Sequence, residues 1–367
     1  MKNFSIPPIS TLIGSTLPNY LKVIRQGKIH RRYLLKFILS TIIVFKAGPF
    51  HLWENLKFGR KLKKFNFEKS PIFIIGHWRS GTTLLHNILC QDPEAGYLTT
   101  YHSVFPNNLG SKAIFKNFMK WNMPSKRPSD NVRLHIDYPQ EDEFAVANSF
   151  PNAYYNFFYF PENYLQFLTK TSQQEVRDKW KKTFQKVIMK ATMNTKGKRA
   201  VIKNPVNTFR VKELIELYPD ARFIFIYRNP ITVFMSSYKF FKALMPTLWF
   251  HPVSDEYIRE MILKVYPIMM DQYEESKKLI PQKNLIEIKF ENFEKSPEDH
   301  LKMIYNNLLR DDYEKVETVF KDYLKGQKNY IRNSYKADKN MVDKVNSEWG
   351  KYLLKWEYSI PEELDLI

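Results

Sequence analysis

A chain of 367 residues with 44% hydrophobic and 16% aromatic content can bury a full core, as one large α/β domain or two. Its one cysteine, Cys90, excludes a disulfide scaffold and fits a reducing compartment; no compact apolar run ending in a small-residue cleavage site marks a signal peptide between Met1 and Leu21. The formal charge of +19 raises nucleic-acid binding, but no zinc-finger spacing, RNA-binding signature or basic repeat accompanies it, and nucleic acid is not expected as a partner.

Much of that charge sits at the start. Residues 1–70 carry 14 Lys and Arg against two acids, Glu54 and Glu68, a local excess of +12. Within them Tyr33 to Phe45 is strongly apolar and flanked by Arg31, Arg32 and Lys46. That run, with Lys36 inside it, falls short of the roughly 20 apolar residues a spanning helix needs. Two readings stay open. The segment is a helix lying in the interface of an anionic membrane with its basic flanks on lipid head groups, or it is a helix buried on the main domain beside an ordinary basic surface. The chain therefore divides into a basic, partly apolar helical region over 1–70 and a main domain over 71–367. The protein is expected in the cytoplasm, either free or peripheral on the inner face of the membrane.

At Ile72–Gly76 a β-branched and aromatic strand runs into the loop Gly76-His77-Trp78-Arg79-Ser80-Gly81 and then a helix over Ser80–Gln91. Gly76 and Gly81 keep P-loop spacing, so the backbone N–H groups between them can curl round an anion at a helix N-terminus, where the macrodipole favours negative charge. A nucleotide-kinase loop needs Lys after the second glycine. Here that position is Thr82, and the cation has moved back to Arg79, which suits a phosphate ester without requiring a γ-phosphate and its magnesium. His77 either touches phosphate or packs beneath the loop, while His86 and Cys90, on the helix, read as structural.

The segment from about Tyr97 to Leu168 interrupts the strand–helix alternation and is the natural acceptor-binding insertion. It contains a helix over Glu143–Ser149 and the aromatic group Phe150, Tyr154, Tyr155, Phe157, Phe158, Tyr159 and Phe160. These rings are either core or the walls of a pocket for a bulky apolar acceptor.

Alternation resumes with strands at Ala200–Lys203, Arg222–Tyr227 and Leu285–Lys289. Helices are expected at Gln173–Met193, Thr208–Leu217, Ile231–Lys242, Asp255–Leu279 and Pro297–Leu308. The pattern predicts an α/β, P-loop-like three-layer fold with a central parallel sheet, plus helical and aromatic-rich insertions, and ligands bind such sheets at the strands' carboxyl ends. Arg228 closes the second of these strands, in Arg228-Asn229-Pro230. Ser236 lies two turns into the next helix, near enough to Arg228 for both to grip one phosphate. Two phosphate clamps in one domain imply a ligand with phosphates at both ends.

With both motifs in order, the chain resembles the sulfotransferases that use 3′-phosphoadenosine 5′-phosphosulfate. Arg79-Ser80-Gly81-Thr82-Thr83 looks like their 5′-phosphosulfate loop, Arg228-Asn229-Pro230 with Ser236 like their 3′-phosphate motif, and Ala200 to Pro205 like the strand carrying their Lys, here Lys203. Together with Ser129-Asp130-Asn131 and Pro139-Gln140-Glu141-Asp142-Glu143, these motifs most resemble the bacterial branch acting on lipid-like and small-molecule alcohols. The resemblance implies transfer of a sulfuryl group to the hydroxyl of a hydrophobic molecule, with a sterol as first choice and an isoprenoid quinol, another lipid or a glycan as alternatives. It implies no metal. Arg79 and Lys203 would be the catalytic cations, and Arg332, in a late basic aromatic segment, would close over the 3′-phosphate or lie on the surface.

The base is left open by the same comparison. Cytosolic animal sulfotransferases carry a His two residues after the Lys, and Pro205 stands there. Tyrosylprotein sulfotransferases use a Glu downstream of the loop, and His102 is in a comparable place, with a side chain that titrates near neutrality. Glu141 and Glu143 are the rival candidates, although acids after Pro139 also have a bland role as partners of a helix dipole. A P-loop kinase and a non-catalytic basic membrane-binding protein are the readings from other classes.

Overall fold

The computed structural model describes residues 7–123, 134–170, 173–327, 336–361 and 365–366. Two compact units emerge, one built from residues 70–95, 201–240 and 256–367 and the other from 1–69, 96–200 and 241–255.

A parallel sheet organises the first of these. Its strands are β1 (Ile72–Ile75), β2 (Ala95–Gly96), β3 (Arg199–Lys203), β4 (Arg222–Tyr227) and β5 (Leu285–Lys289), in the order β2-β3-β1-β4-β5. β1 is buried throughout and pairs in parallel with β3, Ile74 opposite Lys203, and with β4, Ile75 opposite Phe225. A strand flanked on both sides by others, with both faces covered, has no reason to alternate, which is why Ile72-Phe73-Ile74-Ile75 reads as a continuous apolar run. Parallel pairing also fixes the chemistry's location: β1, β3 and β4 all end on the same edge of the sheet, delivering Gly76, Lys203 and Arg228 there. The α/β, P-loop-like fold expected from the sequence is the fold observed.

Local chemistry moved several boundaries. The helix after β1 begins at Thr82, not Ser80, because Gly81 takes a left-handed conformation (φ 98°) as its N-cap. The helix expected over Thr208–Leu217 starts only at Val211. Pro205 and the Asn204 side chain, which accepts from Val206 N–H at 2.9 Å, set a tight 3-10 turn over Pro205–Phe209 first.

In the other unit the N-terminal helix is far longer than the apolar run suggested. It spans Leu34–Lys64, 31 residues, and passes through Pro49. The expectation of a segment too short to cross a membrane is corrected by its length and composition: Arg31–Lys64 is long enough and, with a mean hydropathy of 1.5 over its most apolar stretch, apolar enough to do so. Its inward face is nevertheless anchored within the unit. Lys36 Nζ donates to the carbonyls of Thr247 (2.8 Å) and Leu248 (3.0 Å), and buried Glu54 pairs with buried Lys190. Burial pushes the Lys36 ammonium down to about 7.

The aromatic group of the insertion is core. Phe150, Tyr154, Tyr155, Phe157, Phe158, Tyr159 and Phe160 are all at most 5% exposed. Phe157 stacks on Phe158 with centroids 4.3 Å apart, and Phe158 meets Phe241 at 5.9 Å. Of the two sequence readings, pocket wall and core, these rings take the second.

Candidate active site

The loop after β1 is held open by its backbone. Gly76 (φ 139°) and Gly81 (φ 98°) are in conformations that L side chains rarely adopt, and a Cβ would lie 2.2 Å from the Ile226 carbonyl oxygen at Gly76 and 2.1 Å from the Phe290 ring at Gly81. Neither position tolerates anything but glycine without displacing its neighbour. Between them Arg79 also has positive φ (70°), and the buried Ser80 hydroxyl donates to the His77 carbonyl at 2.8 Å. Thr208 clamps the entrance, its hydroxyl accepting from Gly76 N–H at 2.8 Å. The resulting turn presents the first N–H groups of the helix Thr82–Leu89, which have no intrahelical acceptors, to whatever binds in front.

His77 is buried beneath the loop, its ring 4.9 Å from that of Tyr266 and its Nδ1 2.9 Å from the Trp78 carbonyl; burial pushes it down to about 4. It packs and stays neutral. His86 does likewise, pushed down to about 3 by burial and by Lys203. Cys90 is a buried thiol, raised well above its ordinary value by burial, and is therefore unreactive.

The two phosphate motifs converge. Arg79 Nε donates to Ser236 Oγ at 2.9 Å, and Arg228 Nη1 reaches the Arg79 carbonyl at 3.5 Å. Arg228 lies with its guanidinium carbon 4.6 Å from the centre of the Phe290 ring, and its buried Nε has no hydrogen-bond partner among the described residues. Lys203, 2% exposed, ends the neighbouring strand. Two arginines, a lysine, a serine and helix-start amides on one sheet edge, with a buried guanidinium nitrogen left unpaired, form a site for a polyanion. Residues 71–313 match the sulfotransferase family.

The chain belongs to that family. It is 27% identical over 326 residues, 88% of this chain and 84% of the relative, to the omega-hydroxy-beta-dihydromenaquinone-9 sulfotransferase Stf3 of Mycobacterium bovis, and equally to the Mycobacterium tuberculosis protein of that name. Among solved structures, sulfotransferase STF9 from Mycobacterium avium shares the fold with a TM-score of 0.68 at 14% identity, covering 94% of this chain and 98% of that one. Sulfotransferase STF1 from Mycobacterium tuberculosis does so at 0.64 and 15%, covering 91% of each.

The candidate bases His102, Glu141 and Glu143 lie within the unit that contains residues 96–200, where the bonds Thr100 N to Tyr138 O and Gln140 N to Leu98 O bring their two segments side by side. Burial separates them. His102 is 0% exposed, neither ring nitrogen has a hydrogen-bond partner among the described residues, and burial, with Lys190 and Lys112 nearby, holds it well below its usual range. A general base must reach the proton it takes, so the expectation for His102 is at odds with its position. Glu143 is also fully buried and accepts from Tyr154 N–H at 2.8 Å, a structural bond. Glu141 alone of the three is partly exposed, and it accepts from the Tyr155 hydroxyl at 2.5 Å.

Three supports of the sulfotransferase site were invisible in sequence. Phe290 sits on both Gly81 and Arg228, Thr208 holds Gly76, and the chain end grips the second motif: Asn229 donates to the Ser359 carbonyl at 2.8 Å, and Tyr358 to Glu291 at 2.5 Å. Only Thr208, just past Lys203-Asn204-Pro205, stood near a recognised motif. Arg332 and Ser129-Asp130-Asn131 lie outside the described residues.

Proposed function

We propose that the chain transfers the sulfuryl group of 3′-phosphoadenosine 5′-phosphosulfate to the hydroxyl of a lipid-like alcohol. The observation that carries the donor assignment is the meeting of Arg79, Ser236 and Arg228 on one edge of the sheet, with the Arg228 Nε buried and unpaired. In this reading Arg228 and Ser236 hold the 3′-phosphate, the amides from Ser80 to Thr83 hold the 5′-phosphate, and Arg79 and Lys203 neutralise charge on the sulfuryl oxygens and the departing phosphate. The acceptor oxygen forms its bond to sulfur as the bond from sulfur to the 5′-phosphate oxygen breaks, leaving a sulfate ester and 3′-phosphoadenosine 5′-phosphate. Glu141 takes the acceptor proton, and Tyr155 orients its carboxylate; partial exposure supports Glu141 over His102 and Glu143.

For the acceptor, the mycobacterial relatives named for a hydroxylated dihydromenaquinone support a lipid alcohol. The sterol expected first from sequence has no comparable support, since the aromatics behind it are core. The test incubates purified protein with the donor and, separately, an ω-hydroxylated menaquinone, a long isoprenoid alcohol and cholesterol, following 3′-phosphoadenosine 5′-phosphate release and the sulfated lipid by mass spectrometry. Turnover of either of the first two above cholesterol is expected. Turnover of cholesterol alone refutes the acceptor, and a site that binds ADP with magnesium in preference to 3′-phosphoadenosine 5′-phosphate refutes the donor.

A further inference from the structure

The outward face of the helix Leu34–Lys64 carries a continuous apolar stripe. Leu35, Ile38, Ile42, Phe45, Leu52 and Leu56 recur at intervals of three, four and seven, and all are exposed, Phe45 at 69%, Leu52 at 70% and Leu56 at 80%. At a rise of 1.5 Å per residue the stripe is roughly 32 Å long. Such a surface is far larger than scattered exposed side chains produce. Its charge has one sign. Arg31 and Arg32 stand exposed at one end and Lys57, Arg60, Lys61 and Lys64 at the other, while the helix's one acid, Glu54, is buried against Lys190. Trp53, 45% exposed, lies under Lys57, whose Nζ is 4.6 Å from the ring centre, the amphipathic pairing found at membrane–water boundaries.

The same helix is long and apolar enough to cross a bilayer, but its other face is committed. Lys36 is bonded to the carbonyls of Thr247 and Leu248, His51 Nε2 to Asn108 Oδ1 at 3.1 Å, and Glu54 Oε2 accepts from Gly110 N–H at 2.6 Å. These bonds fix it to its unit near both ends, leaving one face for lipid. We infer that this face is a membrane-docking surface: the helix lies in the plane of an anionic phospholipid bilayer, its stripe in the acyl boundary and its cations at the head groups. The inference stands on the surface alone and is independent of the reaction, because its readout is binding.

The test sediments the full chain with vesicles of phosphatidylcholine alone and of phosphatidylcholine with phosphatidylglycerol at 3:1, in about 0.1 M salt, where surface charge is only partly screened. Wild type is expected to pellet with the anionic vesicles. A triple variant Phe45→Ser, Leu52→Ser, Leu56→Ser, whose positions are exposed and so spare the core, is expected to stay in the supernatant. Arg60→Gln, Lys61→Gln, Lys64→Gln should weaken binding by about a hundredfold, at roughly fivefold for each cation near the surface. Wild type that stays in solution with anionic vesicles overturns the inference, as does a serine variant that binds unchanged. So does a wild-type dimer that the serine variant converts to monomer, since a second copy then covers the stripe.

Discussion

Arg228→Ala should abolish most of the affinity for 3′-phosphoadenosine 5′-phosphate while leaving the fold intact. The guanidinium is held over Phe290, its centre 4.6 Å from the ring, and makes one long bond, 3.5 Å, to the Arg79 carbonyl, so its remaining donors are committed to little else. Hydrogen bonds between charged groups contribute about 1.5–3 kcal/mol each; two from one arginine to one phosphate, reduced for a side chain that is only half-buried, come to about 3 kcal/mol, roughly a hundredfold in Kd. Arg228→Lys keeps the charge but loses the planar fork, and should fall between, at roughly tenfold. Calorimetric titration without added metal measures both, and thermal melting checks the fold. An alanine variant that binds within about threefold of wild type, at unchanged Tm, would refute the assignment of Arg228 to the nucleotide.

Further consequences follow from the same geometry. Gly81→Ala places a methyl group 2.1 Å from the Phe290 ring at a φ of 98°, and should cost about 1–3 kcal/mol of stability together with donor binding, read by urea unfolding and titration; a neutral outcome would mean that the loop is not held as described. Tyr155→Phe removes the hydroxyl that orients the Glu141 carboxylate, so kcat should fall by about tenfold with little change in donor affinity. An unchanged kcat takes the base role from Glu141. His77, His86 and His102 are buried and neutral when folded but bind protons when unfolded. Because the folded values lie below the unfolded one, near 6.5, stability is fully present above that pH. It should fall below it by about 1.4 kcal/mol per pH unit for each ring, down to about 4 for His77 and about 3 for His86. Urea unfolding at pH 7 and pH 5.5 tests this, and equal stabilities would show that the rings gain protons in the folded state.

The loop and strand-end geometry of the candidate site was legible because its signals are local. Gly76 and Gly81 bracket a loop whose geometry depends on a handful of adjacent torsions, and Arg228-Asn229-Pro230 follows a strand whose end is set by its own proline. Apolar runs of four to six residues alternating with helical segments likewise settle a parallel sheet, and parallel pairing brings strand ends together without further information. The N-terminal helix was misjudged by length for a comparable reason. The apolar run through Phe45 was counted, but the helix continues through Pro49 to Lys64, where Glu54 fixes it to its unit through Lys190 and Gly110.

What sequence alone determined, then, is the fold class, the family and the strand ends that carry Gly76, Lys203 and Arg228, since each rests on residues close together in the chain. Tertiary structure alone decided the rest. His102, Glu141 and Glu143 are equivalent as letters, and only the packing around each ring or carboxylate buries two and leaves Glu141 partly open. Seven aromatics between Phe150 and Phe160 could line a pocket, and only their partners, such as Phe241 and Phe250, make them core. Burial is a sum over neighbours distant in sequence, so it sets which side chains meet solvent, substrate or lipid, and no spacing along the chain contains it.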